Sequence, residues 1–334
     1  MTPISLHYTV TKLCIAKAIV SSEPEQPHRS VSGRAIWANS SAARFPPGTR
    51  KYLIITADDF GLHESVNEAV EEAGRSGILT AASLMISGPA AADAIRRARR
   101  MPLLRVGLHL VLADGWATLS HGQIPAFADP DGFMSGNLVR RGVKIFASRR
   151  IRRQLEAEIR AQFAAYRRSG LSFDHVNVHK HFHLHPDVLT VLLSVARDYG
   201  VRAIRVPQEP LWFSRVHGAW HAALGGALLI PLVELMKHRL RAAGIFYNDR
   251  LFGIANSGSM DEARLLSVLA KLPAGVTEIY LHPAKQAMGG IAVSMAGYRH
   301  ADELSALLSA RVRAALDALQ VGRGSYSDAM RLPV

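Results

Sequence analysis

The chain has 334 residues, of which 49% are apolar and 20% are charged, a composition typical of a packed globular protein and not of a disordered one. Its net charge of +13 fits an anionic partner without choosing among nucleic acid, acidic lipid and an anionic substrate. The single cysteine, Cys14, excludes an intrachain disulfide and a cysteine-based zinc cluster.

The first 50 residues differ in composition and hydrophobic pattern from the rest of the chain. The apolar run from Thr9 to Val20 is broken by Lys12 and Lys17 and is not followed by a small-residue cleavage site, so we predict a cytoplasmic protein. Residues 21–50 are rich in Ser, Pro, Ala and Arg without any period. We therefore predict that residues 1–50 form a poorly ordered N-terminal extension.

From Tyr52 onward, strand-like and helical segments alternate. The run "YLIIT" predicts a strand buried on both faces that ends in the acids of "ADDFG". Ser65 is the expected N-cap of a helix that Gly74 or Gly77 ends. Further strands are predicted over 78–87, 104–112, 201–207 and 276–283, and further helices over 90–100, 151–169, 188–199 and 301–319. This alternation predicts an α/β fold, a parallel sheet or barrel of βα units.

The segment "DHVNVHKHFHLHP", residues 174–186, holds five of the 15 histidines. If Phe173 to Val178 is a strand, one of its faces is apolar, and the other carries polar side chains at alternate positions. These are His175, Asn177, His179, His181 and His183. Histidines in a surface turn are the ordinary alternative, but neutral imidazoles that converge on one side favour a metal site.

Polar residues also interrupt three other predicted strands near their C-terminal ends. Asp58 and Asp59 close the first strand, His109 lies in "VGLHL" and His282 lies in "YLHPA". Taken singly, an Asp pair is more often a turn or helix cap, and a lone His is more often a satisfied core residue. Because the C-terminal ends of strands form the active site in βα architectures, the combination favours a catalytic metal centre.

These motifs, "ITADDFGL", "GLHL", "HVNVHKHFH" and "YLHP" in this order, resemble the YdjC-like carbohydrate deacetylases, relatives of the NodB-like polysaccharide deacetylases. The resemblance extends from about Lys51 to the C-terminal region. It implies a distorted (β/α) TIM-like barrel of parallel strands, with the active site at the C-terminal strand ends. The implied activity is removal of the acetyl group from an N-acetylated amino sugar, by a domain of residues 51–334 with an apolar insertion around 211–245.

The resemblance also implies roles for individual residues. One divalent ion, Mg²⁺ or Zn²⁺, would be held by Asp59, His109 and His179, with Asp58 as the base and His282 as the acid. Four further residues would surround the ligands or contact the substrate: Asn177, His181, His183 and Arg205. Family members often carry Asp at the position of Asn177.

The segments "IRVPQEP" and "NDRLFGIANSG" resemble most the branch associated with hopanoid biosynthesis, which implies deacetylation of an N-acetylglucosaminyl hopanoid. Soluble chito-oligosaccharides such as N,N'-diacetylchitobiose are the alternative substrates. The uncharged run 222–233 follows several aromatic residues and precedes the basic stretch 237–241. It is shorter than the roughly 20 residues that span a bilayer, so it predicts either a peripheral contact with the inner membrane or an ordinary buried helix pair.

The positive charge also raises the alternative of a nucleic-acid-binding protein. Such a protein is expected to interleave aromatic residues with Lys and Arg on a strand or groove, and the sequence has no such motif. The arginine clusters at 96–100 and 149–153 lie mostly in segments that are typical of amphipathic helices. We therefore predict no nucleic-acid partner.

Overall fold

The computed structural model describes residues 51–216, 220–285 and 293–332; the predicted N-terminal extension, residues 1–50, lies outside them. The first half of the chain forms β1 (Lys51–Phe60), α1 (Glu64–Ser76), β2 (Ala81–Leu84), α2 (Ala91–Arg99), β3 (Arg105–Leu110), the ribbon strands β4 (Gly115–Trp116) and β5 (Phe133–Met134), α3 (Leu138–Ala147) and α4 (Arg149–Arg168). Strands and helices therefore alternate as the sequence predicts.

The second half of the chain continues this alternation. It forms β6 (Val176–Val178), a 3-10 helix (His179–Leu184), α5 (Pro186–Asp198), α6 (Leu211–Val216), α7 (Trp220–Ala242), β7 (Arg250–Phe252), α8 (Glu262–Ala270), β8 (Gly275–Leu281), a second 3-10 helix (Val293–Met295), α9 (His300–Leu308), α10 (Ala310–Ala318), β9 (Gly322–Arg323) and α11 (Tyr326–Ala329).

The main sheet has the strand order β6-β3-β2-β1-β8-β7, with β9 beside β1, and all of its strand pairs are parallel. The six strands of the path form a half-barrel flanked by helices. Two isolated parallel bridges, Val176 with Ile204 and Ala203 with Phe246, continue the pairing beyond β6. The predicted α/β fold of parallel strands is confirmed.

Alternation along β1 separates the two sides of the sheet. Leu53 and Ile55 belong to the large apolar core, whereas Tyr52 and Ile54 belong to a smaller core that includes Tyr326 of α11. Because side chains of a strand alternate between faces, the even-numbered positions of β1 face the inside of the barrel. Asp58 therefore continues the inward row at the C-terminal end of the strand.

Several predicted boundaries are corrected by local hydrogen bonds. His63, not Ser65, is the N-cap of α1, since its Nδ1 accepts the Ser65 N–H at 3.0 Å. Gly77 ends that helix as predicted. The single helix predicted over 301–319 is two helices, because Ser309 ends α9 and caps α10 through its hydroxyl. The predicted strand 201–207 is reduced to the two bridges.

The apolar segment 211–245 forms α6 and α7. One face of α7 is buried, with Leu232, Val233, Met236 and Leu240 each at most 4% exposed. On the other side Leu228 is 66% exposed and Leu235 is 41% exposed. Across the described residues, none of the helices combines the length and the apolar character that crossing a membrane requires.

Arg141 of α3 stabilises the segment that follows β3 through hydrogen bonds to its backbone. Its buried guanidinium donates hydrogen bonds to the carbonyls of Leu112 at 2.6 Å, Phe127 at 3.1 Å and Ser135 at 3.2 Å. Burial lowers the pKa of Arg141 to about 10, so the side chain stays charged at neutral pH. One cation thus satisfies three carbonyls of the segment that carries the ribbon β4 and β5.

We expect Arg141→Met to lower the free energy of unfolding by about 3 kcal/mol, because buried carbonyls lose a charged donor. Urea denaturation gives the free energy, and amide hydrogen exchange should show faster exchange over residues 112–135. Arg140→Met is the matched control, since Arg140 is the exposed neighbour on the same helix. Equal stability of the two variants would contradict this role of Arg141.

Candidate metal centre

Two aspartates lie at the C-terminal end of β1. Asp58 points inward by strand alternation, and Asp59 has a φ of +63°, a left-handed conformation that a non-glycine residue rarely adopts. This turn lets the second carboxylate reach the same site instead of the opposite face of the sheet. Both residues are only 2% exposed.

Asp59 meets two histidines from neighbouring strands. His109 lies on β3, and His179 begins the 3-10 helix after β6. His109 Nε2 and His179 Nδ1 are 3.1 Å apart, and Asp59 Oδ1 lies 3.3 Å from the first and 3.4 Å from the second. The structure therefore brings together the three residues that the sequence resemblance implies as metal ligands.

The buried polar atoms of this cluster fit a cation. Neither oxygen of Asp59 has a hydrogen-bond partner within the described part of the chain, and the same holds for Nε2 of His179. A buried carboxylate without a donor is costly unless a positive charge compensates for it. One carboxylate and two imidazoles are a donor set that suits Zn²⁺ with an open position, whereas Mg²⁺ prefers more oxygen ligands.

Asn177 contacts the side of the His109 ring that faces away from Asp59. Its side-chain oxygen lies 2.8 Å from His109 Nδ1, the ring nitrogen that faces away from Asp59. Its amide nitrogen donates to Asp58 Oδ1 at 3.0 Å and to Ser83 Oγ at 3.1 Å. Asn177 therefore connects the three-residue cluster to the second aspartate.

Asp58 is paired with a buried arginine. Arg205 Nη1 and Nη2 donate to the two Asp58 oxygens at 2.5 and 3.0 Å, and the same guanidinium donates to Glu278 at 2.7 and 2.9 Å. Burial alone would raise the pKa of Asp58, but Arg205, His109 and His282 hold it well below its usual range. Asp58 is therefore an ionised carboxylate that Arg205 holds in one orientation.

His282 follows β8 on the other side of Asp59. Its Nε2 is 4.0 Å from Asp59 Oδ2, and its Nδ1 is 4.0 Å from Glu303 Oε2. Glu303 also accepts the His282 backbone N–H at 2.5 Å. Burial lowers the pKa of His282 to about 4 and raises that of Glu303 to about 7. The imidazole is therefore neutral at rest.

The histidine run does not continue as a strand. The strand covers only Val176–Val178, and the left-handed backbone of Lys180 and His181 turns the chain into a 3-10 helix. The prediction that polar side chains alternate on one strand face as far as His183 is therefore wrong for the residues beyond His179. His181 Nε2 lies 3.4 Å from the Tyr280 hydroxyl, and His183 Nε2 lies 2.9 Å from the Arg205 carbonyl oxygen. Neither histidine belongs to the cluster of Asp59, His109 and His179.

Other residues of the site were not found from the sequence. Ser83, Glu278 and Glu303 are each 0% exposed and hold, respectively, Asn177, Arg205 and the His282 backbone. A signal existed for two of them, since a serine in "AASL" and a glutamate in "TEIYL" interrupt apolar strands. Glu303 lies on a helix and carries no such signal.

Comparison with known proteins shows which family the chain resembles. A family model described as YdjC-like protein matches residues 52–318. A carbohydrate deacetylase of Geobacillus stearothermophilus is 30% identical over 235 residues, covering 70% of this chain and 80% of that protein. One of Brevibacillus brevis is 32% identical over 207 residues, covering 56% of this chain and 80% of that protein.

The fold also recurs among solved structures. A crystal structure from Enterococcus faecalis, of a protein with a proposed role in cellobiose-phosphate cleavage, superposes with a TM-score of 0.66 at 23% identity and covers 84% of this chain and 99% of that one. At this identity the likeness concerns the fold alone. The match over residues 52–318 is the stronger finding, and by it the chain belongs to the YdjC-like protein family.

Proposed function

We propose that this protein is a metal-dependent carbohydrate N-deacetylase that hydrolyses the acetamide of an amino sugar. One observation carries the proposal: three buried ligand atoms of Asp59, His109 and His179 converge beside an Asp58 carboxylate held by Arg205. The carbohydrate deacetylases among the relatives support this choice of reaction. Residues 51–334 would be the deacetylase domain, with 211–245 as its apolar insertion.

The three ligand residues would hold one divalent ion, Mg²⁺ or Zn²⁺, which when bound polarises the acetyl carbonyl and lowers the pKa of the attacking water. Asp58 would accept the proton of that water, since Arg205 and Asn177 fix both of its oxygens and keep it ionised. His282 would protonate the leaving amine. Because its imidazole is neutral at rest, it would first take up a proton, and the proton that Asp58 removes from the water balances that uptake.

For the substrate we propose an N-acetylglucosaminyl hopanoid, with soluble chito-oligosaccharides as the competing class. The support is the surface of α7, where Leu228, Ile230 and Leu235 are 66%, 43% and 41% exposed. Arg241 lies exposed on the same helix, and apolar groups beside cations suit contact with an anionic lipid surface. An enzyme with a glycolipid substrate would use this exposed face to contact the lipid, whereas an enzyme with a soluble sugar substrate would not need it.

Three variants can distinguish the residues that would bind the metal from the residue that would act as the base. We expect His179→Ala and Asp59→Asn to lose both the bound ion and acetate release. Asp58→Asn should retain the ion and lose turnover by about 10²- to 10⁴-fold, the usual contribution of a general base. Metal content is measured by elemental analysis, and acetate is measured by an enzyme-coupled assay on N,N'-diacetylchitobiose and on N-acetylglucosaminyl hopanoid.

The control for these variants is Asp198→Asn, which changes a carboxylate that is 49% exposed and paired with Arg160. It should match the native protein in both measurements. If His179→Ala keeps its ion and its activity, the triad is not the metal site and the proposed function is wrong.

Metal affinity should fall as the pH falls. Burial alone would lower the pKa of His109, but Asp58, Asp59 and the hydrogen bond with Asn177 raise it above its ordinary value. An ion binds only the neutral imidazole, so protons compete below that pKa. We expect the Zn²⁺ dissociation constant to rise about tenfold per pH unit there. Calorimetric titration at constant ionic strength measures it; a constant value across the acidic range would contradict His109 as a ligand.

If the substrate is a glycolipid, polar substitutions on the exposed face of α7 should lower activity on the lipid substrate but not on a soluble sugar. Leu228→Ser with Leu235→Ser should reduce turnover on vesicle-borne N-acetylglucosaminyl hopanoid about tenfold, because less apolar surface enters the lipid. Turnover on N,N'-diacetylchitobiose should not change. Substituting the buried Leu232 or Val233 would instead disturb the core, so only exposed positions are used.

The matched control is Leu103→Ser, which removes a 90% exposed leucine before β3, at the opposite end of the strands from the site. It should leave both activities and vesicle binding intact. If the α7 variant keeps full activity on both substrates, the exposed leucines do not serve lipid binding, and a soluble sugar is the better-supported substrate.

A further inference from the structure

A line of hydrogen bonds crosses the barrel interior beneath the metal triad. Asp174 Oδ2 and His175 Nδ1 are 2.9 Å apart, His175 Nε2 and Ser83 Oγ are 2.9 Å apart, and Asn177 Nδ2 reaches Ser83 Oγ at 3.1 Å. Asn177 Oδ1 then meets His109 Nδ1 at 2.8 Å. All five residues are at most 4% exposed, so water does not compete for these partners.

The direction of the first two bonds is fixed at the Asp174 end. Its carboxylate already accepts backbone N–H groups of Tyr326 and Ser327 at 3.3 and 2.9 Å. Although burial raises it, His175 and Ser327 together lower the pKa of Asp174 to about 2, so this group only accepts. His175 Nδ1 must therefore carry the hydrogen, and a neutral His175 ring accepts the hydrogen of the Ser83 hydroxyl at Nε2.

The orientation of the Asn177 amide follows from this direction. With its hydrogen given to His175, the Ser83 oxygen can only accept, and it takes one Asn177 amide hydrogen. The other amide hydrogen goes to Asp58 Oδ1 at 3.0 Å, a carboxylate that Arg205 keeps as an acceptor. The amide oxygen is therefore the atom turned toward His109.

We propose that this chain of hydrogen bonds fixes His109 as the Nδ1–H tautomer, so that its Nε2 lone pair faces Asp59 and His179. Asn177, Ser83 and His175 are then positioning residues for a metal ligand, and Asp174 sets the direction of the whole chain. The inference builds on the proposed metal site. It assigns a role to three residues, Ser83, Asp174 and His175, that touch neither the ligand cluster nor the proposed acid.

An Asp174, His175, Ser83 series also has the form of a nucleophilic triad. The packing favours the positioning role, because Ser83 is 0% exposed and its oxygen is occupied by the Asn177 amide. The His175 ring is held between Tyr326, 4.8 Å away between centroids, and Gly107, where a Cβ would lie 2.6 Å from the ring. The imidazole has no room to turn toward a substrate.

The test reads the tautomer directly in the metal-free protein. Long-range ¹H–¹⁵N spectra of histidine-labelled protein, recorded at a pH above the raised pKa of His109, should show its neutral ring protonated on Nδ1 alone. In Asn177→Leu we expect mixed tautomers and a Zn²⁺ dissociation constant raised about 10- to 100-fold, as for the loss of other partners that orient metal ligands. Ser83→Ala should change both in the same direction by a smaller factor.

The control is Ser169→Ala, which removes another buried serine hydroxyl, one that donates to the Tyr166 carbonyl at 2.6 Å at the end of α4. It should leave the His109 signals and the Zn²⁺ affinity unchanged. Thermal melting of all variants identifies any that fail to fold, and Ser83→Ala is the milder change if Asn177→Leu does.

Three outcomes would overturn the inference. The first is a neutral native His109 ring protonated on Nε2 instead of Nδ1, and the second is a Ser83→Ala protein that matches Ser169→Ala in spectrum and affinity. The third is loss of all acetate release in Ser83→Ala with tautomer and affinity unchanged, which would identify a nucleophile. If the native protein releases no acetate but the tautomer responds as expected, the proposed function is wrong and the inference stands.

Discussion

The buried guanidinium of Arg205 is the group on which the site depends. It is 0% exposed, and a buried cation is stable only when it is paired and fully hydrogen-bonded. Asp58 from β1 and Glu278 from β8 both pair with it, while Thr56 and Tyr326 complete Glu278. Contacts from two strands, the segment after α5 and the C-terminal helix α11 thereby fix the position of Asp58.

The charges of the barrel interior are not balanced by this arginine alone. Asp58 and Glu278 share its guanidinium, whereas the buried carboxylate of Asp59 receives no hydrogen bond within the described residues. A second positive charge at Asp59 would lower the cost of burying that carboxylate. In a chain whose overall charge is +13, a divalent ion beside His109 and His179 is the compensating charge that the proposed function assigns to this carboxylate.

The sequence predicted which polar residues meet at the candidate site better than it predicted the residues that support them. Asp59, His109 and His179 stand out because each is polar at the end of an apolar strand, and residues 70 apart, such as His109 and His179, meet because parallel strands end at one edge. The positive φ of Asp59 and the turn at Lys180 and His181 have no such pattern. Arg205 lies where regular pairing is almost lost, so its partners emerge only in three dimensions.

Support for the site reaches beyond the family match, which ends at residue 318. Tyr326 of α11 contacts Glu278 through its hydroxyl, stacks on His175 and donates its backbone N–H to Asp174. One short C-terminal helix therefore touches both the ion pair that orients Asp58 and the hydrogen-bond chain that reaches His109. Through these contacts α11 supports two groups of the proposed active site, Asp58 and His109, that it does not itself contact.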